Sequence, residues 1–263
     1  MAIVTGGGAH TDRVFGIGEA TCLRLAEEGA NVIVVDLEKQ MAQQTVDRIE
    51  QEGYPQALAV EADLTDEHDI AKLASICETE FNSVDILVNS AGMRIEPSPV
   101  TESDSTDWQS IFEVNLKGVA DCCKHIIPQM AESGGGSIVN ISSANAVLGR
   151  KNWALYDATK AGVLGLTRDL ACDHADQEIR VNAVLPGPTV TDYHLQGEDD
   201  SDIEALIEDQ TSRSEDGPGI LKRLAKPREL ANAILFLASE ESSFVTGTEF
   251  RIDGGLTAAG YDV

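Results

Sequence analysis

The chain has 263 residues and a formal net charge of −26, because 45 acidic side chains stand against only 19 basic ones. This length suits one large α/β domain and is short for two. So strong a negative charge disfavours nucleic acid and anionic membranes as partners. No stretch approaches the ~20 apolar residues of a membrane span. The N-terminus lacks the features of a signal peptide, so we expect a cytoplasmic protein. The cysteines and histidines show no metal-ligand spacing, so no metal site is expected.

Short β-branched runs alternate with longer amphipathic segments along the chain. The runs predict strands at 3–4, 32–35, 57–60, 86–88, 138–141, 179–184 and 249–253. Helical periodicity occurs near 17–29, 39–52, 66–80, 107–131, 156–176 and 227–239. Alternation of this kind predicts one α/β domain, built on a doubly wound parallel sheet of about seven strands with helices on both faces.

The first predicted strand runs into a glycine-rich turn that begins at Gly6. The following helix opens with Gly16, Ile17 and Gly18. A turn of this kind lets backbone N–H groups and a helix N-terminus bind a pyrophosphate. The pattern therefore predicts a dinucleotide cofactor.

Asp36 ends the second predicted strand and indicates which dinucleotide is bound. A carboxylate there accepts hydrogen bonds from both ribose hydroxyls and repels a 2′-phosphate, which favours NAD over NADP. Arg13, in the glycine-rich turn, keeps NADP open as an alternative because it could reach that phosphate.

Tyr156 and Lys160 lie four residues apart in a predicted helix, so they project from the same face. A neighbouring ammonium group favours phenolate and lowers the pKa of a tyrosine from its ordinary value near ~10. Ser143 follows the fifth strand and would direct a hydroxyl at the same substrate oxygen. The three side chains predict a proton-transfer site.

Together these residues resemble the short-chain dehydrogenase/reductase family, in its single-domain branch, from Ile3 to Gly255. The resemblance implies one Rossmann-type NAD-binding domain over 1–263. Its cofactor half would span about 1–140. Its catalytic and substrate half would span about 141–263, with a lid at about 192–220.

The resemblance also implies roles for residues at the family's motif positions. Asn115 matches the helix asparagine whose backbone helps hold a water in the proton relay, and so completes the catalytic set. Further cofactor contacts are implied at Leu37, Asp63, Leu64, Asn89, Ala91, Gly92, Pro186, Gly187, Thr189 and Thr191. Relatives pair the helices at 107–131 and 156–176 between subunits, so a homo-oligomer, either a dimer or a tetramer, is expected.

The chain departs from the family pattern in its glycine-rich turn. Nine residues, rather than the usual three, separate Gly6 from Gly16, so 10–15 form an insertion. We expect the insertion to loop outward and to leave Gly6, Gly16 and Ile17 near the pyrophosphate.

The family mechanism is hydride transfer between a nicotinamide and a secondary alcohol or carbonyl compound. The lid segment from Asp192 to Asp216 carries ten acidic residues and one basic residue, so it should repel anionic substrates. A neutral sugar, polyol or small alcohol is therefore the expected substrate. Candidate substrate-binding residues are Arg94, Asn145, Trp153 and His194, which offer hydrogen bonds and an aromatic wall.

Three alternatives to this function remain. The commonest activity of this branch is reduction of 3-oxoacyl groups on acyl carrier protein or CoA, although the acidic surface would repel an acidic carrier protein. A sugar-nucleotide epimerase or dehydratase usually has a further substrate domain, for which this length leaves no room. A non-catalytic dinucleotide sensor would not need all four catalytic residues.

The acidic composition also predicts adaptation to high salt, with an ordinary acidic mesophilic protein as the alternative. Self-repulsion destabilises the compact state, and salt screens it once the Debye length falls to a few ångströms. The melting temperature should therefore rise between about 0.1 M and about 2 M KCl. A melting temperature that stays constant or falls would contradict the halophilic interpretation.

Overall fold

The computed structural model describes residues 1–9, 16–81, 83–191 and 203–259. Three sequence expectations lie outside these residues: the path of the insertion at 10–15 with Arg13, the position of His194, and the first part of the lid.

Seven strands form a single sheet in which every pair of neighbours is parallel. The strands are β1 (Ala2–Thr5), β2 (Val32–Asp36), β3 (Ala57–Glu61), β4 (Ile86–Asn89), β5 (Gly136–Ile141), β6 (Ile179–Pro186) and β7 (Glu249–Ile252). Their spatial order is β3-β2-β1-β4-β5-β6-β7. The predicted fold class is confirmed.

Eight α-helices occur in the described part of the chain. They are α1 (Ile17–Glu27), α2 (Lys39–Gln51), α3 (Glu67–Phe81), α4 (Ser105–Phe112), α5 (Gly118–Glu132), α6 (Ala154–Asp173), α7 (Ile203–Thr211) and α8 (Pro227–Ala238). Alternate strand residues point to opposite faces, so Ile3 and Ile33 pack with α3 and α5. Val4 and Val34 pack on the other face with α1, α2 and α8.

The single helix predicted at 107–131 is wrong in detail, because the structure divides this segment in three. Asp104 caps α4 by accepting a hydrogen bond from the Thr106 backbone N–H at 2.9 Å. A π-helical turn at Glu113–Lys117 then separates α4 from α5. Such a turn inserts an extra residue into the helical ladder and often occurs at functional sites. Asn115 lies buried within it.

The sheet order reverses at β1, which lies between β2 and β4. Ligands of doubly wound sheets bind in the crevice that opens at the carboxyl ends of such strands. The Thr5 hydroxyl joins the two strands there, accepting hydrogen bonds from the backbone N–H groups of Ser90 at 3.1 Å and Ala91 at 3.2 Å.

The two helical segments expected to pair between subunits expose few large apolar side chains. Of the large hydrophobic side chains exposed in the described residues, only Phe112 belongs to the helical segments 107–131 and 156–176. The remaining exposed apolar side chains lie elsewhere, at Leu37, Val100, Val147, Ile220, Leu221 and Phe244. Among the described helices, none is both long and apolar enough to cross a membrane.

Candidate active site

Two cavities follow the crevice at the carboxyl ends of the strands. One, of about 430 Å³, reaches from Gly6 and the start of α1 to Ser143, Tyr156 and Lys160. The other, of about 320 Å³, is lined by Asp36, Leu37, Asp63, Leu64 and Ala91, among others. Gly6, Gly92 and Met93 line both cavities, so the two form one elongated site.

Two glycines between β1 and the first turn of α1 lie so close to neighbouring backbone atoms that a side chain would not fit. Gly6 has a φ of +62°, and a Cβ there would lie 2.7 Å from the Ala91 Cα. A Cβ at Gly18 would lie 2.0 Å from the Gly6 carbonyl oxygen. Only glycine tolerates these positions without a backbone shift, so α1 begins directly against the end of β1, with Gly16 and Ile17 on the cavity wall.

The chain after Gly6 follows β2 towards α2 before the insertion begins. Gly7 donates a backbone hydrogen bond to the Val35 carbonyl, and Ala9 donates one to the Met41 carbonyl, each at 3.1 Å. Ala9, the last described residue before the insertion, therefore lies beside α2, and Gly6, Gly16 and Gly18 line one cavity.

The carboxylate of Asp36 lies at the end of β2 and is 8 % exposed. Its Oδ2 accepts a hydrogen bond from the Gly8 backbone N–H at 3.0 Å, and its Oδ1 accepts a weaker one from Glu38 at 3.4 Å. Because each carboxylate oxygen can accept more than one hydrogen bond, Asp36 fits the ribose of a dinucleotide. Asp63, on the same cavity wall, accepts two hydrogen bonds from Thr65 through Oδ1 at 2.8 Å.

Ser143 and Tyr156 approach the cavity from two different elements. Ser143 follows β5 with an extended backbone, and its Oγ accepts hydrogen bonds from Asn145 N at 3.1 Å and Nδ2 at 3.3 Å. Tyr156 lies in the first turn of α6. Lys160 follows one turn later, with its Nζ 5.9 Å from the centroid of the Tyr156 ring.

Lys160 is buried and donates a hydrogen bond from Nζ to the Ile141 carbonyl oxygen at 2.8 Å. Burial, with a smaller contribution from the Arg94 charge, lowers the pKa of Lys160 to about 8. The ammonium is thus held at the end of β5, where it can donate to a ribose.

Asn115 contributes through its side chain as well as its position in the π-helical turn. Its carboxamide binds the Met93 backbone twice, accepting from N at 2.8 Å and donating to O at 3.0 Å. A weaker hydrogen bond, 3.4 Å long, reaches the Thr159 hydroxyl in α6. Asn115 therefore ties the loop after β4 to the helix that carries Tyr156 and Lys160.

The electrostatics around Tyr156 differ from the sequence expectation. Burial raises the pKa of Tyr156, and the contributions that lower it come from Arg94, Ser143 and Arg150. Lys160 is not among the groups that lower this pKa, contrary to the sequence expectation, and its ammonium donates to the Ile141 carbonyl oxygen. Arg150 was missed by sequence reasoning. The sequence feature that could have indicated Arg150 is its positive charge in the same loop as Ser143 and Trp153.

Most of the other expected site residues also line the cavities. They are Leu64, Gly92, Arg94, Asn145, Trp153, Pro186, Gly187, Thr189 and Thr191. Asn89 does not line either cavity. Its Nδ2 donates to the Asn140 Oδ1 at 2.8 Å inside the sheet, and Asn140 in turn donates to Thr167 at 3.0 Å. Cysteine, histidine and carboxylate side chains form no metal-binding cluster within the described ranges.

Comparison with known proteins agrees with this geometry. A family model described as "Enoyl-(Acyl carrier protein) reductase" matches residues 8–257. A cis-4-hydroxycyclohexanecarboxylate dehydrogenase from Sinomonas cyclohexanicum is 40% identical over 258 residues, covering 98% of this chain and 96% of the relative. A cyclopentanol dehydrogenase from Comamonas sp. (strain NCIMB 9872) is 35% identical, covering 98% and 97%.

Two further proteins are similar over nearly the whole chain. A 3-oxoacyl-[acyl-carrier-protein] reductase from Thermotoga maritima is 38% identical, covering 94% of this chain and 95% of the relative. A crystal structure of a gluconate 5-dehydrogenase from Burkholderia cenocepacia J2315, in complex with NADP and tartrate, has a TM-score of 0.83. It is 30% identical and covers 98% of this chain and 95% of that one.

The chain therefore belongs to the short-chain dehydrogenase/reductase family. It is an oxidoreductase that acts on CH–OH groups.

The lowered pKa of Lys160 predicts a specific pH dependence of stability. Between about pH 8 and about 10.5 the Lys160 side chain binds a proton more often in the unfolded chain than in the folded one. Its charge therefore lowers the free energy of unfolding at neutral pH. This penalty disappears as the pH rises through that range. Relative to wild type, Lys160→Met should be stabilised at pH 7 by on the order of 2 kcal/mol, less the lost hydrogen bond, and the advantage should shrink towards about pH 10.5. Urea unfolding across this range measures the difference.

The matched control is Lys151→Met, because Lys151 is an exposed lysine that lines neither cavity. Its stability difference from wild type should not shrink between about pH 8 and about 10.5, as that of the Lys160 variant should. A Lys160→Met difference that is independent of pH would contradict the lowered pKa.

Proposed function

We propose that the protein is an NAD-dependent dehydrogenase of secondary alcohols, with Tyr156 as general acid and base. The observation that carries the proposal is one continuous site that joins the glycine turn to Ser143, Tyr156 and Lys160. The sequence expectation of a small alcohol, polyol or neutral sugar agrees with the cyclopentanol dehydrogenase among the relatives. The relative that oxidises a hydroxycyclohexanecarboxylate supports a ring-borne hydroxyl group.

In the oxidative direction, the Tyr156 phenolate accepts the hydroxyl proton and Ser143 holds the substrate oxygen. A bound nicotinamide would supply the hydride acceptor for the carbinol carbon. Lys160, on the cavity wall, would hold the cofactor ribose and favour the ionised tyrosine. Asn115 lies in the π-helical turn, where its hydrogen bonds position α6 and would help to place the water of the proton relay.

NAD is preferred over NADP in this proposal because of Asp36. We expect its buried carboxylate to face the adenosine ribose, where its negative charge would repel a 2′-phosphate. The NADP in the Burkholderia gluconate 5-dehydrogenase structure belongs to that protein.

A second candidate function is reduction of 3-oxoacyl groups, favoured by the Thermotoga relative. The strong negative charge of this chain weighs against an acidic carrier protein as partner.

We further propose a cytoplasmic homo-oligomer, a dimer or tetramer, with Phe112 and Val100 as exposed apolar residues available for contact.

Tyr156→Phe should lower kcat by about 100-fold or more while leaving the Kd for NAD nearly unchanged, because only the ionisable hydroxyl is lost. NADH formation should be followed in molar KCl with cyclopentanol, cyclohexanol, small polyols, aldoses, and 4-hydroxycyclohexanecarboxylate with its methyl ester. Calorimetry gives the NAD affinity. The control is Tyr54→Phe, a half-buried tyrosine outside both cavities. A Tyr156→Phe variant with wild-type kcat would rule out the assigned base.

Asp36→Asn should lower kcat/KM with NAD by about tenfold and raise the ratio of NADP to NAD activity, since the amide no longer repels a 2′-phosphate. Steady-state kinetics with both cofactors measure this change. Glu38→Gln is the charge-matched control, because Glu38 is exposed and lines neither cavity. Equal effects of the two substitutions would argue against Asp36 as the discriminating group.

A further inference from the structure

The charge of the cavity beside Tyr156 is opposite to that of the whole chain. Acidic residues outnumber basic ones 45 to 19 in the sequence. The described residues that line this cavity nevertheless include three basic side chains, Arg94, Arg150 and Lys160, and no acidic one. Lys160 has its role beside Ile141 and the cofactor ribose. The two arginines, here called the arginine pair, lower the pKa of Tyr156 and have no further role in hydride transfer.

The arginine pair lies at the reacting end of the site. The Cζ atoms of Arg94 and Arg150 are 5.8 Å and 5.7 Å from the centroid of the Tyr156 ring. Arg94 comes from the loop after β4, and Arg150 from the loop between β5 and α6, so two separate elements deliver them to the same ring. Neither lines the cavity that holds Asp36, so a 2′-phosphate on the adenosine ribose does not explain them.

Arg150 is held in a defined orientation. Its guanidinium stacks on Trp153 with the Cζ 4.1 Å from the ring centroid. Asp157 accepts hydrogen bonds from Nε at 3.3 Å and from Nη2 at 2.6 Å, and it does not line the cavity. Nη1 is the donor atom that Asp157 does not engage. A guanidinium fixed on one edge in this way keeps its remaining donors in place for a planar anion.

We propose that the natural substrate is a hydroxy acid whose carboxylate binds the arginine pair while its hydroxyl meets Ser143 and Tyr156. This inference rests on the proposed function, and it replaces the neutral substrate expected from the acidic lid. The lid acts over long distances through solvent, where salt screens it. The arginine pair lines the cavity wall beside Tyr156, where it would contact the substrate directly. A cavity of about 430 Å³ that also receives the nicotinamide suits a small, single-ring acid.

A site built to bind a charged group discriminates strongly against an analogue that lacks it. The wild-type protein should therefore oxidise a hydroxycyclohexanecarboxylate with a kcat/KM at least about tenfold above that of its methyl ester. In Arg150→Gln and Arg94→Gln this acid-to-ester ratio should fall by about tenfold or more, mainly through the KM of the acid.

The ratio separates this role from an effect of the arginines on the pKa of Tyr156. A change in that pKa alters turnover of acid and ester alike, so it cancels in the ratio. Lys151→Gln is the matched control, because it removes one positive charge next to Arg150 from a side chain outside the cavity. Its acid-to-ester ratio should equal that of the wild type. Equal oxidation of acid and ester by the wild type, or an unchanged ratio in both arginine variants, would overturn the proposal.

A binding measurement keeps the proposal testable if no alcohol is oxidised. Calorimetric titration of the NADH-loaded protein with cyclohexanecarboxylate, which has no hydroxyl to react, should show binding that is at least about tenfold weaker for Arg150→Gln and Arg94→Gln and unchanged for Lys151→Gln. Binding without turnover would refute the dehydrogenase function and keep the carboxylate site. Turnover of neutral alcohols without cyclohexanecarboxylate binding would keep the function and refute the carboxylate site.

Discussion

The site depends on the hydrogen bonds that join the carboxyl ends of β1 and β4 through Thr5. At this point the sheet order reverses, and the chain leaves the two strands towards helices on opposite faces. An opening therefore forms between neighbouring strand ends. The single hydroxyl of Thr5 accepts from two backbone N–H groups of the β4 loop, so the loop is held against β1. Gly6 follows at once, and Asn115 binds the same loop two residues further on, at Met93. The junction at Thr5 thus positions both the glycine-rich turn and α6, the helix that carries Tyr156 and Lys160.

A second constraint is that the charges around Tyr156 oppose the net charge of the chain. The surface carries the large acidic excess, whereas the wall around Tyr156 carries arginines and a lysine. Burial raises the pKa of Tyr156 and lowers that of Lys160, so it shifts both groups towards their neutral forms. The arginines oppose this trend at the tyrosine. Because a guanidinium stays charged under all ordinary conditions, the positive potential at the reacting oxygen does not depend on the ionisation of Lys160.

The fold followed from sequence periodicity because the central strands are buried on both faces, whereas most helices are buried on one. The segment 107–131 was the exception. Its apolar spacing continues through the π-helical turn, so periodicity alone gives no sign of the extra residue that buries Asn115. The direction of the Asn89 side chain was not predicted either. A motif position identifies the residue but not the direction of its side chain, and the Asn89 amide donates to Asn140 on the neighbouring strand β5.

The sequence by itself determined the class of fold, and it predicted the dinucleotide site and the roles of Ser143, Tyr156 and Lys160, since these depend on local spacing and on the order of motifs. Only the tertiary structure decided which charges surround Tyr156. Arg94 and Arg150 are 56 positions apart in the chain (150 − 94), and they meet at one ring only because β4 and β5 are neighbours in the sheet. Net charge is a sum over the whole chain, whereas the field at a reacting atom depends on the few groups that packing brings within several ångströms of it.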